Sequence, residues 1–185
     1  MARIIYVMGA SGVGKDTLLC YVRRNTVRGS PWVVAHRYIT RASDSGTENH
    51  IELTDTEFDH HQAAGMFALH WQSHDCRYGI GVEIDEWLAR GFNVVVNGSR
   101  AYLDCARALY PALLAVKIIV SDAVLEQRLS HRGRETATEI RSRLQRADDL
   151  DRVHCPGLKE IRNDGPVEIA GDVLLALCAS GVTGS

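Results

Sequence analysis

Several things are missing from this sequence, and each absence excludes a class of protein. Five cysteines (Cys20, Cys76, Cys105, Cys155 and Cys178) are scattered among 185 residues, odd in number and without a C-x-x-C pair. That usage excludes a disulfide framework or a cysteine zinc site and fits reduced thiols in a cytoplasmic protein. No apolar stretch approaches the ~20 residues needed to cross a bilayer, and the run Ile4–Met8 is broken too soon by Gly9 for a signal peptide. Repeats, low-complexity tracts and convincing linkers are absent. So is an excess of either charge: 21 Lys and Arg face 23 Asp and Glu, a net charge of −2. Neither a nucleic acid nor a membrane is expected as a partner, and any anionic ligand must be held by a local basic cluster. Oligomeric state stays open, a homodimer among the options.

What remains is an ordinary globular balance, 45% hydrophobic and 24% charged, in a chain long enough for one core. Strand-length apolar runs alternate with helical segments, as in an α/β fold with a mostly parallel sheet. Strands are expected at 4–8, 32–35, 66–72, 92–96, 114–120 and 158–161. Helices are expected at 16–28, about 54–64 behind the capping box Thr54–Glu57, 84–90, 101–109, 121–132, 136–150 and at the C-terminus. Residues 37–50 are polar and irregular and read as a loop. One domain is expected over 1–185: a core of 1–36, 91–130 and 151–185, an insertion of about 37–90, and a lid of about 131–150.

Gly9-Ala10-Ser11-Gly12-Val13-Gly14-Lys15 fits the first seven positions of G-x-x-x-x-G-K-[ST], after a strand and before a helix. Glycines let the backbone turn its N–H groups inward onto phosphate oxygens, and the following helix adds its positive end. Lys15 is placed to bridge the β- and γ-phosphates of ATP. Asp16 stands where the motif carries a Ser or Thr, and Thr17 follows. A carboxylate suits Mg²⁺, directly or through water, so Asp16 or Thr17 is the candidate metal ligand. The plainer reading of Asp16 is a helix residue favoured by the dipole.

A second basic segment runs His131-Arg132-Gly133-Arg134-Glu135, followed by Arg141 and Arg143. Arginines on either side of a glycine break between two helices can close over transferring phosphates. Alternatively they form a solvated surface paired with Glu135, Glu139 and Asp148.

With these elements in order, the chain resembles the guanylate-kinase-like branch of P-loop kinases over nearly its whole length. Ile39-Thr40-Arg41 is similar to that branch's acceptor-phosphate segment. Phe67-Ala68-Leu69-His70-Trp71 and Arg77-Tyr78-Gly79 are similar to its F-L-E-W and Y-G elements. Arg134 and Arg143 fall at its lid arginines, and Asn163-Asp164 at its turn beside the adenine. Two departures matter. His70 replaces the glutamate that reads guanine, and the third core strand ends Val96-Asn97-Gly98-Ser99-Arg100 without an acidic pair. A guanine edge presents N–H donors that need carboxylate acceptors, so discrimination for guanine is expected to be poor. Gly9–Asp16, Arg37–Arg41, Gly46–His50 and Val96–Arg100 together resemble the ribose 1,5-bisphosphate phosphokinases of phosphonate catabolism.

That resemblance implies a three-layer P-loop kinase fold and transfer of phosphate from ATP to ribose 1,5-bisphosphate, with Mg²⁺. Lys15, Arg134 and Arg143 are the implied catalytic residues, and Gly9 to Thr17 with Asn163 and Asp164 the ATP site. Arg37, Arg41, His50, His70, Tyr78, Asn97, Ser99 and Arg100 are the candidate acceptor residues. A nucleoside monophosphate kinase is the alternative; a non-catalytic binding module fits less well, because the phosphate loop is complete. Among the eight histidines, adjacent His60 and His61 diverge on a helix, and His70 with His74 would share a face only if helical. Trp71, Trp87 and Phe92 read as core.

Overall fold

The computed structural model describes residues 1–42, 50–73, 75–131 and 157–181. Five strands, β1 (Ile4–Met8), β2 (Trp32–Val34), β7 (Asn93–Asn97), β8 (Leu114–Ile119) and β9 (Lys159–Arg162), form a parallel sheet in the order β2-β7-β1-β8-β9. β1 is central and buried along its whole length, which explains its unbroken apolar run: a strand covered on both faces has no polar side to show.

Alternation divides its residues between two layers. Ile5 and Val7 join Val95, Val116, Ile118 and Ile161 beneath α1 (Lys15–Arg24), α5 (Asp122–His131) and the C-terminal helix α6 (Val167–Ala179). Ile4, Tyr6 and Met8 join Val94, Val96 and Ala115 against α3 (Glu83–Ala89), α4 (Leu103–Leu109) and a second sheet. That sheet runs β4 (His50–Glu52), β3 (Arg37–Ile39), β6 (Cys76–Gly81), β5 (Phe67–Ser73), and β5 and β6 form an antiparallel hairpin. The result is the P-loop kinase fold: a mostly parallel central sheet between helical layers.

The outer side of the second sheet is closed by α2 (Asp55–Ala63), which begins with the expected reciprocal capping box of Thr54 and Glu57. Its one buried residue, Phe58, packs on Phe67 at 4.6 Å between ring centres. Arg77 covers the Phe58 ring at 4.3 Å and pairs with Asp59 at 2.7 Å.

Four local expectations are corrected. Residues 37–50 are not one loop, because β3 and β4 lie at its two ends and pair in parallel. Strand β6 was not anticipated, since Gly79 and Gly81 interrupt its apolar pattern; a Cβ on Gly79 would stand 2.5 Å from the Phe67 ring. α1 stops at Arg24, not near Arg28. There the Asn25 side chain donates to the Tyr21 carbonyl and the Thr26 hydroxyl to that of Val22, taking the last-turn acceptors. The segment expected at 101–109 also opens as a 3₁₀ turn over Arg100–Tyr102. The expected helix at 136–150 and Cys155 lie outside the described residues; Cys20, Cys76, Cys105 and Cys178 are free thiols.

A buried amide ties the far end of the sheet. Asn93 accepts the Arg3 N–H at 3.0 Å and donates to the carbonyls of Cys178 and Ser180 at 2.8 and 2.9 Å. Replacing it with alanine leaves the buried Cys178 carbonyl and the two part-buried groups without their partner, so Asn93→Ala should lower unfolding free energy by ~2–4 kcal/mol. Urea denaturation checks this, and a loss under ~1 kcal/mol would mean that the end relaxes to find other partners.

Candidate active site

The loop from Gly9 to Gly14 leaves β1 and enters α1, whose N-cap is Gly14 at φ 91°. That conformation, and the Asn163 Nδ2 that would lie 2.6 Å from a Cβ there, admit only glycine. Lys15 folds back, its Nζ donating to the carbonyls of Gly9 (2.9 Å) and Ala10 (2.8 Å). The ammonium is thereby held over the ring of backbone amides that the motif presents to phosphates.

On one side the loop is clasped by a turn far away in sequence. Asn163 donates its side-chain amide to the Val13 carbonyl at 2.8 Å. Arg128, from α5, donates to Val13 O at 3.1 Å and to Asn163 O at 2.8 Å. Asp164 accepts the Ser121 N–H at 2.7 Å and a guanidinium hydrogen bond from Arg162 at 3.1 Å. These bonds, the Ser121 amide first, hold its carboxyl below the usual carboxylate range. Its stabilisation of the turn is therefore present above the ordinary carboxylate pKa and is lost as pH falls through the lowered one. Gly12, Gly14, Thr17, Gln127, Arg128, Asn163, Gly165 and Val167 line a half-open pocket of about 480 Å³ against this turn. It has the size and the mixed lining of a small-molecule site.

On the other side the loop meets acceptor candidates. Asn97, at the end of β7, donates its amide to Asp16 Oδ1 at 2.8 Å, and Arg37 approaches the same oxygen at 3.7 Å. The guanidinium of Arg37 also lies 5.2 Å from the centre of the Tyr78 ring. Tyr78 stacks on Trp71 (5.5 Å, 6° between planes), and Trp71 on Tyr102, so the tyrosine is fixed by packing. Because a carboxylate must be faced by the NH₂ end, the Asn97 amide has one sensible orientation, which leaves its buried Oδ1 without a partner.

Asp16, Arg37, Tyr78 and Asn97 are thus brought together, and Ser99 and Arg100 follow Asn97 along the chain in the next turn. His50 pairs in register with Arg37 at the start of β4 and β3, and its Nε2 lies 3.3 Å from the carbonyl of Arg41, which follows the end of β3. His70 is not brought to the group. It pairs in register with Gly79 while Trp71 pairs with Tyr78, so it points to the opposite face, 6.5 Å from the Phe67 ring. Thr17 is exposed at the head of α1, at the cavity. Arg134 and Arg143 lie outside the described residues. Arg128 was not singled out from the sequence. Its signal is positional: Leu125 and Leu129 pack against Gly12, carrying Arg128 to the same edge.

As for a metal, the side-chain oxygens of Asp16 and Thr17 are hard donors beside the phosphate loop and fit Mg²⁺ in type. One oxygen of Asp16 is already engaged by Asn97 and Arg37.

A glycine loop and lysine at the tip of a central parallel strand, facing a basic and aromatic second sheet, define a P-loop kinase of guanylate-kinase-like architecture. The fold bears this out. A guanylate kinase from Anaplasma phagocytophilum superposes with a TM-score of 0.68 over 100% of this chain and 88% of its own, at 14% identity. A sugar kinase from Janibacter superposes with a TM-score of 0.51 over the full length of both chains, at 21% identity. No family model matches the sequence. Curated relatives match closely. The ribose 1,5-bisphosphate phosphokinase PhnN of Burkholderia pseudomallei is 53% identical over 95% of this chain and 94% of its own. Those of Thiobacillus denitrificans and Psychromonas ingrahamii are 51% and 47% identical over 95% of this chain, 92% and 89% of theirs. The chain belongs to the ribose 1,5-bisphosphate phosphokinase family, and it is an enzyme, a kinase.

Proposed function

We propose that this kinase transfers the γ-phosphate of ATP to the 1-phosphate of ribose 1,5-bisphosphate, giving ADP and 5-phosphoribosyl 1-diphosphate for phosphonate catabolism in the cytoplasm. The observation that carries this reading is the junction at Asp16. It sets Asn97 and Arg37 of the acceptor side in contact with the helix that follows the phosphate loop. A phosphate acceptor gripped there lies beside the donor phosphates. Its oxygen is ionised near neutral pH, so no general base is required. An oxygen of the 1-phosphate bonds to the γ-phosphorus as the bond to the β–γ bridging oxygen breaks. Catalysis consists of positioning and charge stabilisation.

In that arrangement the amides of residues 9–14 and Lys15 hold the β- and γ-phosphates, and the turn Asn163–Asp164, with Arg128, bounds the adenine side. Arg37 and Tyr78 orient the acceptor phosphate, with Arg41, His50, Ser99 and Arg100 around it. Arg134 and Arg143 supply further positive charge. The division into core, acceptor-binding insertion and lid belongs to the same reading. Asp16 and Thr17 would hold Mg²⁺, which offsets phosphate charge when bound. Asp16→Ala is then expected to raise the Mg²⁺ concentration for half-maximal rate about tenfold. An unchanged metal requirement removes Asp16 from the metal site and leaves it as the anchor of Asn97.

The neutral amide at Asn97, in place of a carboxylate, favours a hydroxyl-bearing sugar over a guanine edge. A coupled ADP-release assay offering ribose 1,5-bisphosphate, GMP and other monophosphates side by side tests the proposal. Turnover restricted to the sugar bisphosphate is the expected result; preference for a nucleotide would overturn it.

A further inference from the structure

Tyr6 is a phenol where the sheet calls for a hydrocarbon. It sits in the middle of β1 with no solvent exposure, between Ile5 and Val7, among Ile4, Met8, Val94, Val96 and Ala115. A buried tyrosine needs a partner for its hydroxyl. Here both partners are main-chain groups of one residue: the hydroxyl donates to Ser99 O and accepts from Ser99 N–H, each at 2.9 Å. Ser99 lies where the chain has left the parallel ladder. Gly98 N–H still bonds to Val7 O at 2.8 Å, and a 3₁₀ turn begins at Arg100. Without the phenol, the Ser99 amide has no hydrogen-bond acceptor in the sheet. The ring also fills the space under the turn, because a Cβ on Gly98 would fall 2.0 Å from Tyr6 Cζ. One end of the segment is thus fixed by Asp16 through Asn97, the other by Tyr6 through Ser99.

We propose that Tyr6 is a positioning residue for the acceptor site: its hydroxyl pins Ser99, and with it sets the aim of Asn97, Ser99 and Arg100 at the sugar bisphosphate. This rests on the reading that those three residues face the acceptor. It adds that their geometry is set from within the core, by a residue of β1 that touches neither substrate. Gly98 is the required counterpart, since only a bare Cα lets the turn lie on the ring.

Tyr6→Phe removes one oxygen and keeps the ring, and Gly98→Ala pushes the turn off it. In both, KM for ribose 1,5-bisphosphate should rise about tenfold or more, because a misplacement near 1 Å at a binding group is enough for that. KM for ATP should stay within about twofold, as the phosphate loop keeps its own contacts. Leu174→Ala in α6 serves as a control for general destabilisation, Leu174 being fully buried and distant in sequence from the turn. Independently of any substrate, amide hydrogen exchange in the ligand-free protein should show the Ser99 N–H of Tyr6→Phe exchanging at least about tenfold faster. The β7 amides should be unchanged. The proposal falls if Ser99 exchange is unaltered. It also falls if the acceptor KM is unaltered, or if both KM values rise together as in the control. Should the wild type fail to turn over ribose 1,5-bisphosphate, the assignment of substrate is what fails, and Ser99 exchange then decides the role of Tyr6.

Discussion

Lys15→Ala is expected to lower kcat by about 10²–10³-fold while the protein still folds, the loss typical of one preorganised donor aimed at developing charge. Nζ already lies over the loop, bonded to the Gly9 and Ala10 carbonyls, so it needs little reorganisation to serve bound phosphates. Those carbonyls are only half-buried and can turn to water when the ammonium is gone. Melting temperature should therefore move by no more than a few degrees. ADP release under saturating substrates, with a thermal melt on the same sample, separates the two effects. A loss of turnover under tenfold would assign phosphate stabilisation to the backbone amides and other cations.

Phe58→Ala should cost ~3–5 kcal/mol, the range for deleting a buried aromatic ring from a core. Its site is separate from the two clusters that line the parallel sheet. Phe58 joins α2 to the second sheet through Phe67, while Tyr38 and His61 pack against the same Phe67 ring. Arg77 caps it, tied also to Asp59 and Gln62 of α2. Losing the ring undermines the strands that carry Arg37, His50 and Tyr78 and leaves the phosphate loop intact. On heating, acceptor-dependent turnover should disappear at temperatures where ATP binding persists. The two can be followed by the kinase assay and by calorimetric titration with ATP. Coincident loss of both would show that the second sheet and the parallel sheet unfold as one unit.

What could be read from the sequence were features whose cause is local. The run Ile4–Met8, the glycine loop, Lys15 and the Thr54–Glu57 box each contain their own explanation within a few residues. The central strands were legible for the same reason, since burial on both faces writes an uninterrupted apolar run. Strands β3, β4 and β6 were not, because Arg37-Tyr38-Ile39 and His50-Ile51-Glu52 are three residues each and half polar. Gly79 in β6 is there for Phe67, a side chain that no short window connects to it. Likewise Tyr6 looked like one more apolar residue of β1, its meaning residing at Ser99. His70 was grouped with the acceptor residues on its place in the motif, and strand alternation turned it to the other face.

The order of the parallel sheet also bears on how the chain is made. β1 is the first strand to be synthesised and has neither neighbour until much later, since those neighbours are β7 and β8. Until Val94 and then Leu114 leave the ribosome, Ile4–Met8 is an apolar segment of high β-propensity and no charge, with unpaired edges. Such segments are what holdase chaperones bind and what seeds aggregates. Parallel pairing at this sequence separation is slow. The phosphate loop can acquire its shape only after β1 is seated, so nucleotide affinity should arise late in biosynthesis. Chains released before β8 is made are candidates for rapid degradation.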